Sequence, residues 1–248
     1  MKRMPFSSFS KQGFDASSGM LVRRALKGEG SLSLTVFLRE RGLLRIAARG
    51  AASGKVRFGG GTEPFVWGVF KYYRGRSGGL HLESVDVADD MLPLRKRPEA
   101  LFMAVRWARR LLRHVPVELP ADELLKVLYW SMRLLSNKDL PVELADWRFL
   151  YRWLKTQGLV PDLRKCALCG NLSERLAWSA EGLLCESCAP SAHETKPVFS
   201  ATRLKFLEAL ARMDASTLEG LEKQEVLWEQ RALFNQAARC LEGFLFEV

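Results

Sequence analysis

Four of the five cysteines fall in two tight pairs, Cys166-Ala-Leu-Cys169 and Cys185-Glu-Ser-Cys188, with Gly170 directly after the first. The pattern is C-x2-C-x15-C-x2-C. Each pair can turn two sulfurs onto one point, and the spacer is long enough for a short hairpin to bring the pairs together. That is what a tetrahedral zinc ion requires. Four thiolates would fill the coordination sphere and leave no position for water or substrate, so the metal is expected to be structural, one ion per chain. Redox dithiols or unrelated buried cysteines are the competing readings, and the spacing favours zinc. Cys240, the fifth, lies in an apolar helical stretch and reads as a buried free thiol.

Cysteine usage of this kind argues against a secreted disulfide framework and for a reducing cytosol. No apolar run approaches the ~18 residues of a membrane span, and the N-terminus lacks the apolar stretch of a secretory signal. Net charge is +10 and very unevenly placed. Residues 1–76 hold 15 Lys and Arg against 4 Asp and Glu, a net of +11, while residues 77–248 are at −1. Surfaces usually mix the two signs. A segregated excess is the footprint expected of a phosphate-binding surface.

The basic third alternates with the period of strands. Leu32, Leu34, Val36 and Leu38 share one face, and Leu44, Ile46 and Ala48 oppose Arg45, Ala47 and Arg49. With Met20–Leu26, Phe65–Tyr73 and Leu80–Val87, this gives five strands. Five short strands in a basic, aromatic segment suggest an OB-type β-barrel at residues 19–90. Residues 1–18 read as a flexible arm. Ala51–Pro64, with Lys55, Arg57, Phe58 and three glycines, reads as a long mobile loop. In the fourth strand either Phe65, Trp67 and Val69 or Val66, Phe70 and Tyr72 line the core; sequence alone does not say which.

After Pro98 the period becomes helical. Asp122 is placed to cap a second helix, Pro141 to open a third that Gly158 closes, and Ser200 to cap a fourth over Ala201–Met213. A long fifth runs from about Glu225 to Phe246. Residues 91–248 thus read as a helical domain with the zinc module inserted at about 163–192. His193 reads as an ordinary surface histidine.

The order of barrel, helices and inserted four-cysteine module resembles the RecO family of bacterial recombination mediators. Local residues agree: Leu21-Val-Arg-Arg24; the run from Gly28 to Glu40; Gly42 to Gly50 with its Ala-Arg-Gly ending; Arg57-Phe58 with Glu63-Pro-Phe65; and the distinctive stretch Leu159 to Gly170. The likeness covers roughly residues 19–247. The arm before Met20 is longer than usual, and members differ in whether they keep the cysteines; this chain keeps all four.

The resemblance implies a non-enzymatic DNA repair factor of the bacterial cytoplasm, associated with the nucleoid. Such a factor binds single- and double-stranded DNA, anneals complementary strands, and with RecR helps load RecA onto DNA coated by single-strand binding protein, whose acidic C-terminal tail it also binds. No nucleotide-binding loop and no defensible catalytic constellation stands against this. The expected DNA contacts are Arg23, Arg24, Arg39, Arg45, Arg49, Lys55 and Arg57, then Arg74 and Arg76. Arg106, Arg109, Arg110 and Arg113, beside apolar helical stripes, are the expected contacts for the acidic tail. The principal alternative is a zinc-ribbon transcription or translation factor, though Glu174, Glu181, Glu186 and Glu194 around the cysteines argue for a structural ribbon. A nuclease would need a carboxylate cluster for Mg²⁺, and the basic third has only Asp15, Glu29, Glu40 and Glu63.

Overall fold

The computed structural model describes residues 13–28, 30–53, 57–221 and 224–246. Lys55 and the first twelve residues of the expected arm lie outside these. Five strands, β1 (Phe14–Leu26), β2 (Leu32–Leu38), β3 (Gly42–Ala48), β4 (Trp67–Arg74) and β5 (Leu80–Asp89), close a barrel in the order β1-β2-β3-β5-β4. Closure depends on the length of β1. Its first half pairs with β4 (Phe14 to Met20 against Tyr73 to Trp67) and its second half with β2, with an irregularity between Leu21 and Arg23. Such a bulge bends a strand far enough to serve both neighbours. Residues 14–18, expected in the arm, are therefore the start of this strand.

The alternation settles the core. Leu21, Leu32, Leu34, Val36, Leu38, Leu44, Ile46, Ala48, Phe70, Tyr72 and Leu82 fill the barrel. Each large apolar side chain so buried contributes roughly 1.5–3 kcal/mol. Phe70 and Tyr72 take the inside of β4, so Trp67, Val69, Lys71 and Tyr73 are left on the outside. Phe58 also joins the core and anchors the loop expected to be mobile.

The compact units divide between Met132 and Arg133. Helices α1 (Leu92–Arg95), α2 (Pro98–His114) and most of α3 (Asp122–Ser136) belong with the barrel. Val117 pairs with Leu43, and the Glu118 N–H donates to the Leu43 carbonyl at 3.0 Å. Asp122 opens α3, and its carboxylate accepts the N–H of Glu40 at 2.7 Å. Trp67 packs on Tyr129 of α3, with centroids 4.7 Å apart.

The second unit is built on α4 (Val142–Thr156), buried on almost every side. Pro141 precedes it, and Gly158, at φ 72°, closes it: the N–H groups of Gly158 and Leu159 donate to the carbonyls of Lys155 and Leu154. Then come β6 (Arg175–Ser179), β7 (Gly182–Leu184), α5 (Pro190–Thr195), β8 (Val198–Ser200), α6 (Ala201–Arg212), α7 (Ala215–Glu219), α8 (Gln224–Glu229) and α9 (Arg231–Phe246). Ser200 caps α6 as expected, its hydroxyl accepting the Arg203 N–H. The long fifth helix is two helices, α8 and α9, with α9 lying along α4. Arg148 of α4 is buried, donating to the carbonyls of Leu210 and Met213, while Arg152 donates to those of Ala211 and Met213. The two guanidiniums thus satisfy the C-terminal carbonyls of α6. Burial, then the neighbouring Arg152, pulls the Arg148 pKa down to about 9, against the pull of Asp214.

Candidate metal centre and nucleic-acid interface

The cysteine module is a three-stranded sheet in the order β7-β6-β8 with the two cysteine pairs at its end. Its apolar content is small: Leu176, Ala177, Trp178, Leu183, Leu184 and Phe199 are buried. Backbone bonds shape each pair. The N–H of Gly170 donates to the Cys166 carbonyl, and those of Cys188 and Ala189 to the Cys185 carbonyl. The Ala167 N–H reaches the Leu183 carbonyl at 2.8 Å, tying the first pair to β7.

The four sulfurs all lie within 4.8 Å of one another, and Cys169 Sγ stands 3.8 Å from Cys185 Sγ. Thiolates about 2.3 Å from a zinc ion at tetrahedral angles stand roughly 3.8 Å apart. The cluster can therefore hold one metal ion, and the donor set is that of a closed site. Its electrostatics agree. Burial pushes the Cys166 thiol up, but the N–H groups of Cys169, Cys185 and Leu168 and the Cys169 thiol outweigh it and hold it at about 6. The Ser187 hydroxyl, then Cys188, lowers Cys185. Cys188 is pushed up to about 12 by Cys185, Cys169 and Cys166. Sulfurs this close cannot all ionise unless a cation shares the space. His193 is not a surface histidine: half-buried, its Nε2 lies 2.9 Å from the carbonyl of Leu184, next to Cys185. Cys240 is only half-buried, and burial raises its pKa to about 11.

On the barrel, the expected DNA contacts separate into two kinds. Arg24 pairs with Glu63, Arg39 with Glu40, and Arg57 donates to the Arg49 carbonyl while lying over the Phe58 ring. Arg74 is tied to the Gly78 carbonyl at 2.7 Å. Arg23, Arg45, Arg49 and Arg76 are exposed, and none has an ion-pair partner among the described residues. Arg45 lies on the outward side of β3, as the alternation requires, and Arg49 is exposed in the turn that follows the strand. In α2, Arg109 and Arg113 are exposed and Arg106 is half-buried, but Arg110 is buried, which removes it from the expected tail contacts. The four arginines share one helical face, and position 110 is at its edge, next to the buried Met103 and Trp107.

The sequence did not bring together a row of rings on the barrel's outside. Tyr73 of β4 is flanked by Phe14 of β1 and His81 of β5, each centroid 5.4 Å from its own. Phe14 lay in the presumed arm, and a lone histidine at a strand start carries no signal of its own. A cavity of about 440 Å³ in the same unit is lined by Phe14, Asp15, Arg41, Tyr72, Arg74 and Glu118, among others.

Comparison with known proteins decides the family. Residues 16–89 match the model for the Recombination protein O N terminal region, and residues 95–238, more than half the chain, match the model for its C terminal region. This chain belongs to the RecO family. Its relatives include proteins named DNA repair protein RecO. The one from Anaeromyxobacter sp. (strain K) is 34% identical over 205 residues, covering 79% of this chain and 77% of the relative. That from Exiguobacterium sp. (strain ATCC BAA-1283 / AT1b) is 27% identical over 221 residues, covering 88% and 86%. That from Rubrobacter xylanophilus is 28% identical over 216 residues, covering 84% and 86%. The RecO family is one of DNA repair and recombination proteins and is not a known class of enzymes. Among the described residues no helix is long and apolar enough to cross a membrane.

Proposed function

We propose that this RecO-family chain is a recombination mediator that works by binding and carries out no chemical step. The barrel gathers single- and double-stranded DNA, and complementary strands held on it anneal. With RecR the chain helps RecA displace single-strand binding protein. The observation that carries this reading is the group of exposed arginines without ion-pair partners, Arg23, Arg45, Arg49 and Arg76, on the barrel unit. Two complementary strands repel through their phosphates. A surface that neutralises both rows and releases their counterions removes that barrier. The four thiols supply the second half of the reading: bound zinc would be held by Cys166, Cys169, Cys185 and Cys188 and would fix the ribbon without reacting.

The tail-binding surface is proposed for the outer side of α2. Phe102 and Val105 are exposed there, at 71% and 37%, and share a helical face with Arg109 and Arg113. An acidic peptide ending in a hydrophobic residue, as the coating protein's tail does, would be drawn by the arginines and held by the apolar pair.

The test is strand annealing in the absence of nucleotide, beside an assay for ATP hydrolysis. Annealing without hydrolysis is expected. Hydrolysis coupled to annealing, or no acceleration of annealing, overturns the reading. For the tail, Arg109→Glu should abolish recruitment to coated DNA while binding to naked strands survives. Equal loss of both would make α2 part of the DNA surface.

A further inference from the structure

The arginines account for phosphates but give no place for bases. The row Phe14, Tyr73 and His81 does. The three residues are direct cross-strand partners on adjacent strands, Phe14 opposite Tyr73 and Tyr73 opposite His81. Tyr72 points into the core, so Tyr73 must point out. The Tyr73 and His81 rings are stacked at 29°, and Phe14 is tilted 51° from Tyr73 with 43% of its surface exposed. The other outward aromatic of β4, Trp67, packs against Tyr129 of α3. Trp67 and Tyr73 are both half-buried, but Tyr73 continues to a ring that is 43% exposed, that of Phe14.

What borders the row is equally particular. The parallel partner of His81 is Ala47 of β3, whose antiparallel partner is Ser33 of β2. The large rings thus give way to small side chains, a level strip along the barrel. Arg45 precedes Ala47 by two residues on the same strand face, and Arg49 is exposed in the turn just beyond the strand. The turn at residues 75–79 links Tyr73 and His81, and a Cβ at Gly75 would come within 2.8 Å of the His81 ring. A side chain there would displace the ring, so glycine is needed for His81 to sit beneath the turn. Burial, then the positive charge of Arg49 and of Lys27, lowers the His81 pKa below its ordinary value. Those two cations are therefore close enough to act on this end of the row. At the other end Phe14 borders the cavity, where the Tyr72 hydroxyl is buried without a hydrogen-bond partner among the described residues.

Resting on the DNA-binding reading, we propose that Phe14 and Tyr73, supported by His81, form a base-stacking platform for single-stranded DNA, with Arg45 and Arg49 holding the phosphates alongside. Aromatic faces flanked by cations are how barrels of this type hold single strands without reading sequence. Packing between strands is the ordinary reason for such a row, and it would not require cations on one side or exposed ring surface at the end.

The experiment compares oligothymidylate with an abasic strand of the same length by fluorescence anisotropy at two salt concentrations. Charge is equal in the two strands, so any preference reports bases. Wild-type protein should bind the thymidylate strand about tenfold more tightly. Tyr73→Leu and Phe14→Leu, which keep apolar bulk, should each remove most of that preference and leave the salt slope unchanged. A wild-type protein that binds both strands equally overturns the platform but leaves phosphate binding standing. Binding to neither strand overturns the DNA reading and the platform together. A preference that survives both leucine substitutions places the stacking elsewhere and overturns the assignment to these rings.

Discussion

The barrel and the cysteine ribbon solve the same folding problem with opposite materials. The barrel closes its hydrogen-bonded ring around a core of Leu, Val, Ile, Phe and Tyr side chains. Its stability comes from area removed from water, so its charged residues are not needed for folding. The ribbon buries far less, with Leu176, Trp178, Leu183, Leu184 and Phe199 as its main apolar residues. A core that small is typically completed by a metal. Its four thiols are placed to hold one metal ion, whereas the barrel's exposed arginines Arg23, Arg45, Arg49 and Arg76 stay available to a partner.

The largest effect should follow from depriving the ribbon of the metal ion its four thiols are placed to hold. Cys185→Ser, or a strong chelator, deprives the module of binding energy on the order of 10–16 kcal/mol in comparable small sites. Limited proteolysis should then cut within residues 165–200, metal analysis should fall from about one zinc per chain, and affinity for single strands should change less than about twofold. Loss of DNA binding in step with the metal would break the comparison, because the barrel would then depend on the ribbon. A second, smaller test lies in α4. Arg148→Met leaves the Leu210 carbonyl without its guanidinium partner and Met213 with only Arg152. Denaturant unfolding should show a loss of about 2–4 kcal/mol from charged hydrogen bonds. A loss well under 1 kcal/mol would mean that water replaces the guanidinium at the end of α6.

These two regions were not equally legible in the sequence. The ribbon was, because a metal demands particular atoms at particular separations and the C-x2-C pairs state them outright. The barrel strands were legible from alternation, but their ends were not. Phe14 to Ser18 carry small polar residues that read as a tail, and they become strand only because β4 offers a partner for them. The boundary at residue 90 marks where the strands end and the helices begin; period says nothing of packing, and α2 and most of α3 fall in the same compact unit as the barrel. Leu43, Glu40 and Trp67 tie those helices to the barrel through long-range contacts. Arg106, Arg109, Arg110 and Arg113 share one helical face, but Arg110 sits at its edge beside the buried Met103 and Trp107, and spacing alone does not say how far burial reaches round the helix.

On the barrel side, replacing Arg45 and Arg49 together with Ala should leave stability unaltered, since both are exposed and unpaired among the described residues. DNA affinity should fall about tenfold at moderate salt, and the log–log salt slope for single strands should shrink by roughly 1.4. Unchanged affinity with an unchanged slope would move the phosphate surface to Arg109 and Arg113 of α2. A large stability loss would show that these arginines belong to the fold after all.

The smallest expected effect probes the same uncompensated charge without any DNA. Burial, then Arg49 and Lys27, disfavours the protonated form of His81. Its folded pKa therefore lies below the ordinary value of about 6.5 that the unfolded chain shows. Above that ordinary value both states hold a neutral imidazole, and the shift contributes nothing to pH dependence. As pH falls below it, the unfolded chain takes up a proton that the folded barrel resists, and stability declines until the folded pKa is passed. NMR titration of the ring should give a midpoint below the ordinary one, and Arg49→Ala should move it upward. Bound DNA should also move it upward, because phosphates neutralise the field that opposes the proton. The ribbon offers the reverse case, in which sulfurs crowd one another and a metal cation would relieve them. A His81 midpoint at the ordinary value, unmoved by Arg49→Ala, would mean that the barrel's positive charge is already balanced where the row of rings lies, and the contrast between the two regions would fail at that point.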